Sequence, residues 1–319
     1  MYEDRRIAVV VPAYNEETQI GKVIETMPDY VDRIVVIDDC SMDRTSEVVN
    51  GYAEKQPQRI HLIRHERNRG VGAAIASGYR EAVEKGADVV AVMAGDGQMP
   101  PAELVNIIEP VVEGKADYAK ANRLFTGEAW HKIPKVRYMG NAVLSLMTKV
   151  ASGYWQLADT QSGFTAISAE AINRIRVKTL YPSYGYPNDL LVRLNGFGFK
   201  TVDVPSEPVY GVGEKSKMQV WKVIPRMTWL LTKCFFWRMK EKYMIRDFHP
   251  LVLFYLASMG LGGIGMLLLS RSAWIAVETA LEGALRIPPT NTLAAGFCLV
   301  SALQFALFAM WFDMEYDRR

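Results

Sequence analysis

The chain has 319 residues, half of them hydrophobic, which suits one catalytic domain of roughly 200 to 240 residues with an appendage. Its formal net charge of only +2 gives no nucleic-acid signature, so no nucleic-acid partner is expected. The three cysteines are too scattered in sequence to indicate a disulfide framework or a zinc site.

Strand-like and helical patterns alternate through the first hundred residues. Strands are predicted near residues 7–11, 34–37, 60–63 and 88–93, with helices between them at 16–27, 44–55 and 72–85. This alternation is typical of βαβ units and therefore of a mainly parallel sheet. The amino terminus is charged and enters a strand at once, without the apolar segment of a secretory signal, so synthesis in the cytoplasm is expected.

Three of these predicted strands end in polar residues. The first runs into Tyr14–Glu17, the second into Asp38 and Asp39, and the fourth into Gly95–Gln98. Ligands of open parallel sheets bind beyond the carboxyl ends of the strands, and Asp96, with glycine on each side, is suited to approach a metal ion closely. The pattern predicts a metal-bound nucleotide, although each tip taken alone also fits helix capping.

A basic and aromatic segment follows Tyr210. Between Lys215 and Arg246, nine Lys or Arg residues alternate with tryptophan, phenylalanine and tyrosine in a helix-compatible pattern. Such a pattern favours helices that lie on an anionic membrane surface. Solvated bundle helices and an RNA-binding patch remain the alternatives.

Two uncharged segments, Leu251–Leu269 and Leu293–Phe312, are long enough to cross a bilayer core of about 30 Å, at about 1.5 Å of helical rise per residue. They predict a multi-pass integral membrane protein. The basic residues before the first span place the catalytic domain and both termini in the cytoplasm, against a connecting segment that holds Arg271, Glu278, Glu282 and Arg286. Glycines from Gly260 to Gly265 permit close helix packing, so a homo-oligomer is left open.

Five motifs together resemble family-2 glycosyltransferases of the GT-A fold, and specifically their polyprenyl-phosphate branch, the dolichyl-phosphate mannose synthase-like enzymes. These motifs are VVVPAYNEE at 9–17, VIDDCSMDRT at 36–45, NRGVGAA at 68–74, AGDGQMPPAEL at 94–104 and DTQSGFTAI at 159–167. The resemblance implies an α/β GT-A domain, Rossmann-like with a mainly parallel sheet, at 1–214. Interfacial amphipathic helices at 215–248 and two transmembrane helices at 249–319 are expected to follow.

The resemblance also implies a donor site for a nucleotide-sugar. Asp96 and Gln98 resemble the family's metal-binding pair, which implies Mg²⁺ or Mn²⁺. One departure is clear, because Ala94 stands where the family usually has a first aspartate. We therefore expect weaker metal binding, or more reliance on phosphate oxygens and water. The nucleotide contacts implied by position are Pro12, Ala13, Tyr14, Glu16, Asp38, Asp39, Gly72 and, in a segment that resembles a mobile lid, Lys217.

The acceptor side rests on the same resemblance. Arg123 is the strongest match to a cation that holds the lipid phosphate, and Ser162 lies in a motif that resembles the loop near the acceptor. Lys135 and Arg137 match more loosely and are equally well explained as solvated charges. Asp189 either acts on the acceptor side or favours the start of a helix. Asp96, Asp189 and Arg123 are the catalytic candidates.

These features predict a membrane-bound, inverting transfer of one sugar from a nucleotide-sugar, preferably UDP-linked, to polyprenyl phosphate. The acceptor phosphate is already anionic near neutral pH, so positioning and charge control matter more than proton removal. A processive polysaccharide synthase is the alternative enzyme, but its expected Gln-x-x-Arg-Trp sequence is missing. A catalytically silent nucleotide-sugar-binding scaffold is the alternative from another class, and Ala94 is its only indication.

Overall fold

A mixed sheet forms the centre of the amino-terminal part of the protein. The computed structural model describes residues 1–124, 135–207 and 220–316, without the side chains of 135–139, 141 and 220–223. In these ranges the strands pair in the order β3-β2-β1-β4-β6-β5-β7, and only β6 runs antiparallel to its neighbours. The strands are β1 Ile7–Ala13, β2 Arg33–Asp38, β3 Ile60–Arg64, β4 Val89–Val92, β5 Tyr118–Asn122, β6 Thr165–Ser168 and β7 Thr201–Pro205.

Helices cover both faces of this sheet and continue to the carboxyl-terminal end. Short 3₁₀ turns at Pro101–Glu103 and Val177–Thr179 and a π-helical turn at Glu241–Arg246 complete the regular structure of the described ranges. The α-helices are α1 Ile20–Glu25, α2 Thr45–Lys55, α3 Val71–Glu84, α4 Leu104–Val112, α5 Lys135–Ser152, α6 Ala169–Arg174, α7 Tyr186–Gly196, α8 Val220–Lys240, α9 Leu251–Leu281 and α10 Pro289–Tyr316.

The central strands are Val- and Ile-rich because each is buried on both faces. Alternate residues of β1 enter two separate core clusters, Ala8 and Val10 with α3 on one side and Ile7, Val9 and Val11 with α1 and α4 on the other. This two-sided burial is typical of parallel strands in α/β proteins. The predicted α/β fold with a mainly parallel sheet is therefore confirmed.

The register of the sheet brings three strand ends to one edge. In the parallel pair β1–β2, Ala13 lies opposite Asp38, and in the parallel pair β1–β4, Val10 lies opposite Val92. The segments that follow these strands therefore leave the sheet at the same edge, as the sequence predicts.

Helix α1 begins at Ile20, four residues later than predicted. Asn15 takes a positive φ of 58°, which a right-handed helix does not allow. The amides of Asn15 and Glu16 donate to side chains of the loop after β2 instead of starting a helix. Contacts between two loops therefore override the local helical pattern.

The chain separates into two units, Met1–Arg238 and Met239–Arg319, so the predicted juxtamembrane segment is divided between them. Helix α8 belongs mainly to the first unit, because Met227, Leu231 and Cys234 pack against Ala151 and Val192. The guanidinium of Arg238 is buried and donates to the Val150 carbonyl at 3.1 Å.

The second unit consists mainly of the paired helices α9 and α10. Both are long and apolar enough to cross a membrane, and only 22% and 17% of their most apolar windows are buried, unlike the core helices of soluble proteins. Helix α9 runs through Arg271 and Glu278 to Leu281, so the predicted connecting segment is largely helical. The sequence from 266 to 282 contains no proline or glycine that would end the helix earlier.

We expect Cys234 to resist alkylation in the native protein. Its burial, followed in effect by the nearby Asp189 carboxylate, raises the pKa of the Cys234 thiol to about 12. At pH 8 the reactive thiolate is therefore scarce as well as shielded. Peptide mass spectrometry after iodoacetamide treatment should find Cys40, which is partly exposed, labelled much faster than Cys234. Rapid labelling of Cys234 before denaturation would show that α8 is not docked on the first unit.

Candidate active site

The loops after β1 and β2 are joined by reciprocal hydrogen bonds. The Asn15 amide donates to Ser41 Oγ at 2.9 Å, and the Met42 amide donates back to Asn15 Oδ1 at 2.9 Å. The Glu16 amide donates to Thr45 Oγ1 at 2.9 Å. These bonds fix the two loops as one surface at the edge of the sheet.

Asp38 is fully buried at the end of β2. Its carboxylate accepts hydrogen bonds from the Ser41 amide at 2.8 Å and from the Ser46 hydroxyl. The Arg64 guanidinium lies 3.6 Å away. These contacts show Asp38 shaping its own loop, and its predicted contact with the nucleotide stays a prediction.

Asp39 connects the loop after β2 to the loop before α3. One carboxylate oxygen accepts from the Arg69 amide at 2.9 Å, the other accepts from the Gly70 amide at 2.7 Å, and His65 Nδ1 lies 2.7 Å from the first oxygen. His65 Nε2 in turn lies 3.0 Å from the Ser77 hydroxyl. Because the carboxylate is already engaged three times, Asp39 organises the predicted nucleotide loop whatever else it contacts.

Two other predicted nucleotide contacts differ in exposure. The Tyr14 ring is 40% exposed at the end of β1, so it is accessible for stacking on a base. Gly72 is buried, and a Cβ there would lie 2.7 Å from Tyr186 Cβ and would overlap the Tyr181 carbonyl. A glycine is needed at position 72 for this packing, independently of any contact with a nucleotide.

The Asp96 tip is a tight turn beside the end of β1. The Gln98 amide donates to Asp96 Oδ1 at 3.1 Å, and Gly97 takes the positive φ of 74° that this turn requires. A Cβ at Gly95 would lie 3.4 Å from both Ala13 Cβ and the Pro12 carbonyl oxygen, so the turn sits directly against the first loop. The predicted metal residues and the predicted nucleotide residues are thus neighbours.

The donor atoms at this turn fit a magnesium or manganese ion. In the described part of the chain no group of three or more His, Cys, Asp or Glu residues is placed to hold a metal. Asp96 and Gln98 offer hard oxygen atoms, and Mg²⁺ commonly takes one or two carboxylates and completes its shell with substrate phosphates and water. A nucleoside diphosphate would therefore have to supply ligands that the protein does not.

Three residues predicted for different parts of the reaction line one cavity. Gln98 of the metal pair, Arg123 at the end of β5 and Ser162 of the acceptor motif all face it, together with Ser206 and Glu207 after β7. The cavity thus brings one predicted metal residue close to two predicted acceptor residues.

Arg123 is held in this cavity by an ion pair that the motifs do not reveal. Its Nε and Nη2 atoms donate to the two oxygens of Asp159 at 2.7 and 3.2 Å. Burial favours a higher pKa for Asp159, but Lys120 and Arg123 hold its pKa below the ordinary range. Asp159 is the first residue of the DTQSGF motif, and Lys120 is a lone cation inside a strand. These two features of the sequence could have identified both residues as candidates for the site.

Asp189 lies in the first turn of α7, where acidic residues stabilise a helix. One oxygen accepts from the Tyr181 amide at 2.8 Å, and the other accepts from Arg193 Nε at 3.0 Å. Both oxygens are engaged within the fold, which favours the helix-start alternative over a catalytic one.

The remaining predicted contacts lie outside what the structure describes. Lys217 falls outside the described residues. The backbone of Lys135 and Arg137 begins α5, but their side chains also lie outside the described set. Their roles stay predictions.

Comparison with known protein families identifies the family of this chain. The profile described as glycosyl transferase family 2 matches residues 8–176, more than half of the chain. The chain belongs to glycosyl transferase family 2. The predicted family and the predicted enzyme class, a glycosyltransferase, are therefore confirmed.

Curated relatives within this family act on polyprenyl phosphates by name. The UDP-N-acetylglucosamine–dolichyl-phosphate N-acetylglucosaminyltransferase of Methanococcus voltae is 28% identical over 219 residues, covering 65% of this chain and 87% of that protein. The polyprenol monophosphomannose synthase of Mycolicibacterium smegmatis is 28% identical over 220 residues, covering 66% and 82%.

A solved structure confirms the GT-A fold of this glycosyltransferase. Glucosyl-3-phosphoglycerate synthase from Mycobacterium tuberculosis, in complex with Mn²⁺, UDP and phosphoglyceric acid, is similar with a TM-score of 0.54. The match covers 74% of this chain and 78% of that one at 19% identity. At that identity the likeness establishes the fold alone.

We expect Asp96→Asn to reduce sugar transfer at least about a hundredfold while leaving the protein folded, because a neutral amide is a poorer ligand for a divalent ion. The measurement compares product formation with thermal unfolding of the same preparation. Asp29→Asn removes a carboxylate from an exposed site away from the cavity and should leave both unchanged. Retained transfer by Asp96→Asn would remove Asp96 from its assigned role.

Proposed function

We propose that this glycosyltransferase is a membrane-bound, inverting enzyme that transfers a single sugar from a UDP-sugar to polyprenyl phosphate. The observation that carries the proposal is the shared cavity of Gln98, Arg123 and Ser162. This shared lining supports the proposal, because Gln98 is a predicted metal residue while Arg123 and Ser162 offer a cation and a hydroxyl suited to an acceptor phosphate. Processive synthesis and silent donor binding are outcomes that the experiment below distinguishes.

The donor half is supported by the loops at the edge of the sheet. Tyr14 offers an exposed ring for a base, and Asp39 fixes the loop of Arg69 and Gly70 beside it. Asp96 and Gln98 would hold Mg²⁺ or Mn²⁺, which when bound offsets negative charge on the nucleoside diphosphate. The choice of a UDP-sugar is supported by the UDP-dependent name of the Methanococcus relative.

The acceptor half needs a cation more than a base. A phosphate monoester oxygen is anionic near neutral pH and attacks the anomeric carbon without losing a proton. The Arg123 guanidinium, oriented by its two bonds to Asp159, would hold that oxygen in place. Attack from the face opposite the departing diphosphate inverts the anomeric carbon. The engagement of Asp189 within the fold agrees with a reaction that requires no general base.

Membrane attachment is supported by two separate features. Helices α9 and α10 have the length and apolar character of bilayer spans. Helix α8 exposes a mixed basic and aromatic face, which includes Arg226, Trp229, Lys233 and Phe236. The short segment between the spans contains Arg286 as its only Lys or Arg, so the basic excess before α9 favours a cytoplasmic catalytic unit.

The decisive experiment incubates purified enzyme with Mg²⁺ or Mn²⁺, undecaprenyl or dolichyl phosphate and a panel of UDP- and GDP-sugars. We expect one lipid-linked monosaccharide, made from a UDP-sugar and identified by mass spectrometry, with the anomeric configuration inverted by NMR. Polymeric product would indicate a processive synthase. UDP binding without any product would indicate a silent scaffold. Product from a GDP-sugar alone would contradict the proposed donor.

We expect Ala94→Asp to tighten binding of Mn²⁺, because it restores a second carboxylate beside Asp96 and ligand charge sets cation affinity. Isothermal titration of Mn²⁺ in the presence of UDP should show a dissociation constant lowered by about tenfold. Ala94→Asn, which adds similar volume without charge, is the matched control. Equal affinities of the Asp variant and the wild type would show that Ala94 does not limit metal binding.

A further inference from the structure

Lys120 occupies a position where a lysine is costly. It lies in the middle of β5, its side chain is fully buried, and in the described residues no hydrogen-bond acceptor reaches its Nζ atom. Lysines are almost never fully buried unless they are paired, and an isolated buried ammonium is strongly disfavoured. An apolar residue would fill such a strand position at lower cost, so the lysine calls for an electrostatic explanation.

The register of the sheet supplies that explanation. Strands β5 and β7 pair in parallel, with Lys120 opposite Asp203. Asp203 is partly buried. One of its oxygens is inaccessible and has no hydrogen-bond partner in the described structure, while the other accepts from the Ala158 amide at 2.6 Å. Lys120 and Asp203 are therefore cross-strand neighbours of opposite formal charge, close enough to interact electrostatically.

The Arg123–Asp159 ion pair lies within electrostatic range of these two residues. Lys120 interacts electrostatically with Asp159, Asp203 and Arg123, so the protonation state of each of the four groups affects the others. Burial lowers the pKa of Lys120 and raises that of Asp203, and the attraction between opposite charges opposes both changes. Whether the proton is on the amine or on the carboxyl, Lys120 and Asp203 together sum to zero charge.

We propose that Lys120 is a positioning residue for the acceptor phosphate. Its charge, opposite Asp203 across the sheet, prevents an excess of negative charge next to Arg123. Without Lys120, the two carboxylates of Asp159 and Asp203 would outnumber the one positive charge of Arg123. The net negative charge would then weaken the attraction of Arg123 for a phosphate in the cavity. Lys120 does not touch the phosphate itself. The inference rests on the proposed function, since it assigns the acceptor phosphate to Arg123.

The test measures binding of a soluble short-chain acceptor, farnesyl phosphate, by isothermal titration in the presence of UDP and Mn²⁺. For Lys120→Met we expect the dissociation constant of the acceptor to rise about tenfold or more, since one unit charge is lost near a partly buried anion. The KM of the acceptor should rise in parallel. The kcat and the KM of the donor should stay within about threefold of wild type, because none of the predicted nucleotide or metal residues belongs to this cluster.

Charge balance gives the test its matched control. The double variant Lys120→Met/Asp203→Asn removes one charge of each sign and should restore acceptor binding to within about threefold of wild type. A merely structural lysine predicts the opposite, since two core changes would damage the site at least as much as one. Acceptor binding by the double variant as weak as that of the single variant, at equal thermal stability, would overturn the inference.

Asp203→Asn alone keeps the test usable should Lys120→Met fail to fold. The amide oxygen of asparagine still accepts from the Ala158 amide, while the loss of a negative charge should tighten acceptor binding severalfold. Unchanged or weaker binding would contradict the proposal. Wild-type protein serves as the reference: absent binding and transfer there would refute the proposed function, whereas normal wild-type binding with an unaffected Lys120→Met would refute only the role of Lys120.

Discussion

Because β1 pairs in parallel with β2 on one side and β4 on the other, the chain must leave all three strands at the same edge of the sheet. The loop of Tyr14, the loop of Asp39 and the turn of Asp96 therefore all lie at this edge. Any substrate contact made by one of them is therefore made beside the other two. The rest of the site depends on this constraint, including the close approach of Gly95 to the end of β1.

Several carboxylates in this part of the protein stabilise the fold through hydrogen bonds and ion pairs. Asp38 binds its own loop, Asp39 binds the amides before α3, and Asp189 binds Arg193 and the Tyr181 amide. Such preorganised loops suit an enzyme whose reaction depends on placing two phosphate-bearing substrates rather than on moving protons.

The cluster under Arg123 extends this principle to the acceptor side. A guanidinium bonded twice to Asp159 has a fixed direction, but the same carboxylate offsets its charge. In our proposal Lys120, buried in the strand that leads to Arg123, allows the direction of the guanidinium and the local charge to be set separately. That division accounts for a lysine in the centre of a strand, where its desolvation is expensive.

The sequence by itself determined the local structure and the family. Period-two and helical patterns place β1 to β4, α2 and α3 within a few residues, and the motifs around Pro12, Asp39, Asp96 and Ser162 identify the glycosyltransferase, because burial periodicity and strand-end chemistry are local properties. Only the tertiary structure decided the late start of α1, the docking of α8, the ion pair of Arg123 and the cross-strand neighbour of Lys120. Those outcomes depend on contacts between residues far apart in the chain. In the sequence Asp159 and Asp203 are ordinary acidic residues of a turn and a strand. The pairing of β5 with β7 places Asp203 opposite Lys120, and the fold brings Asp159 to Arg123.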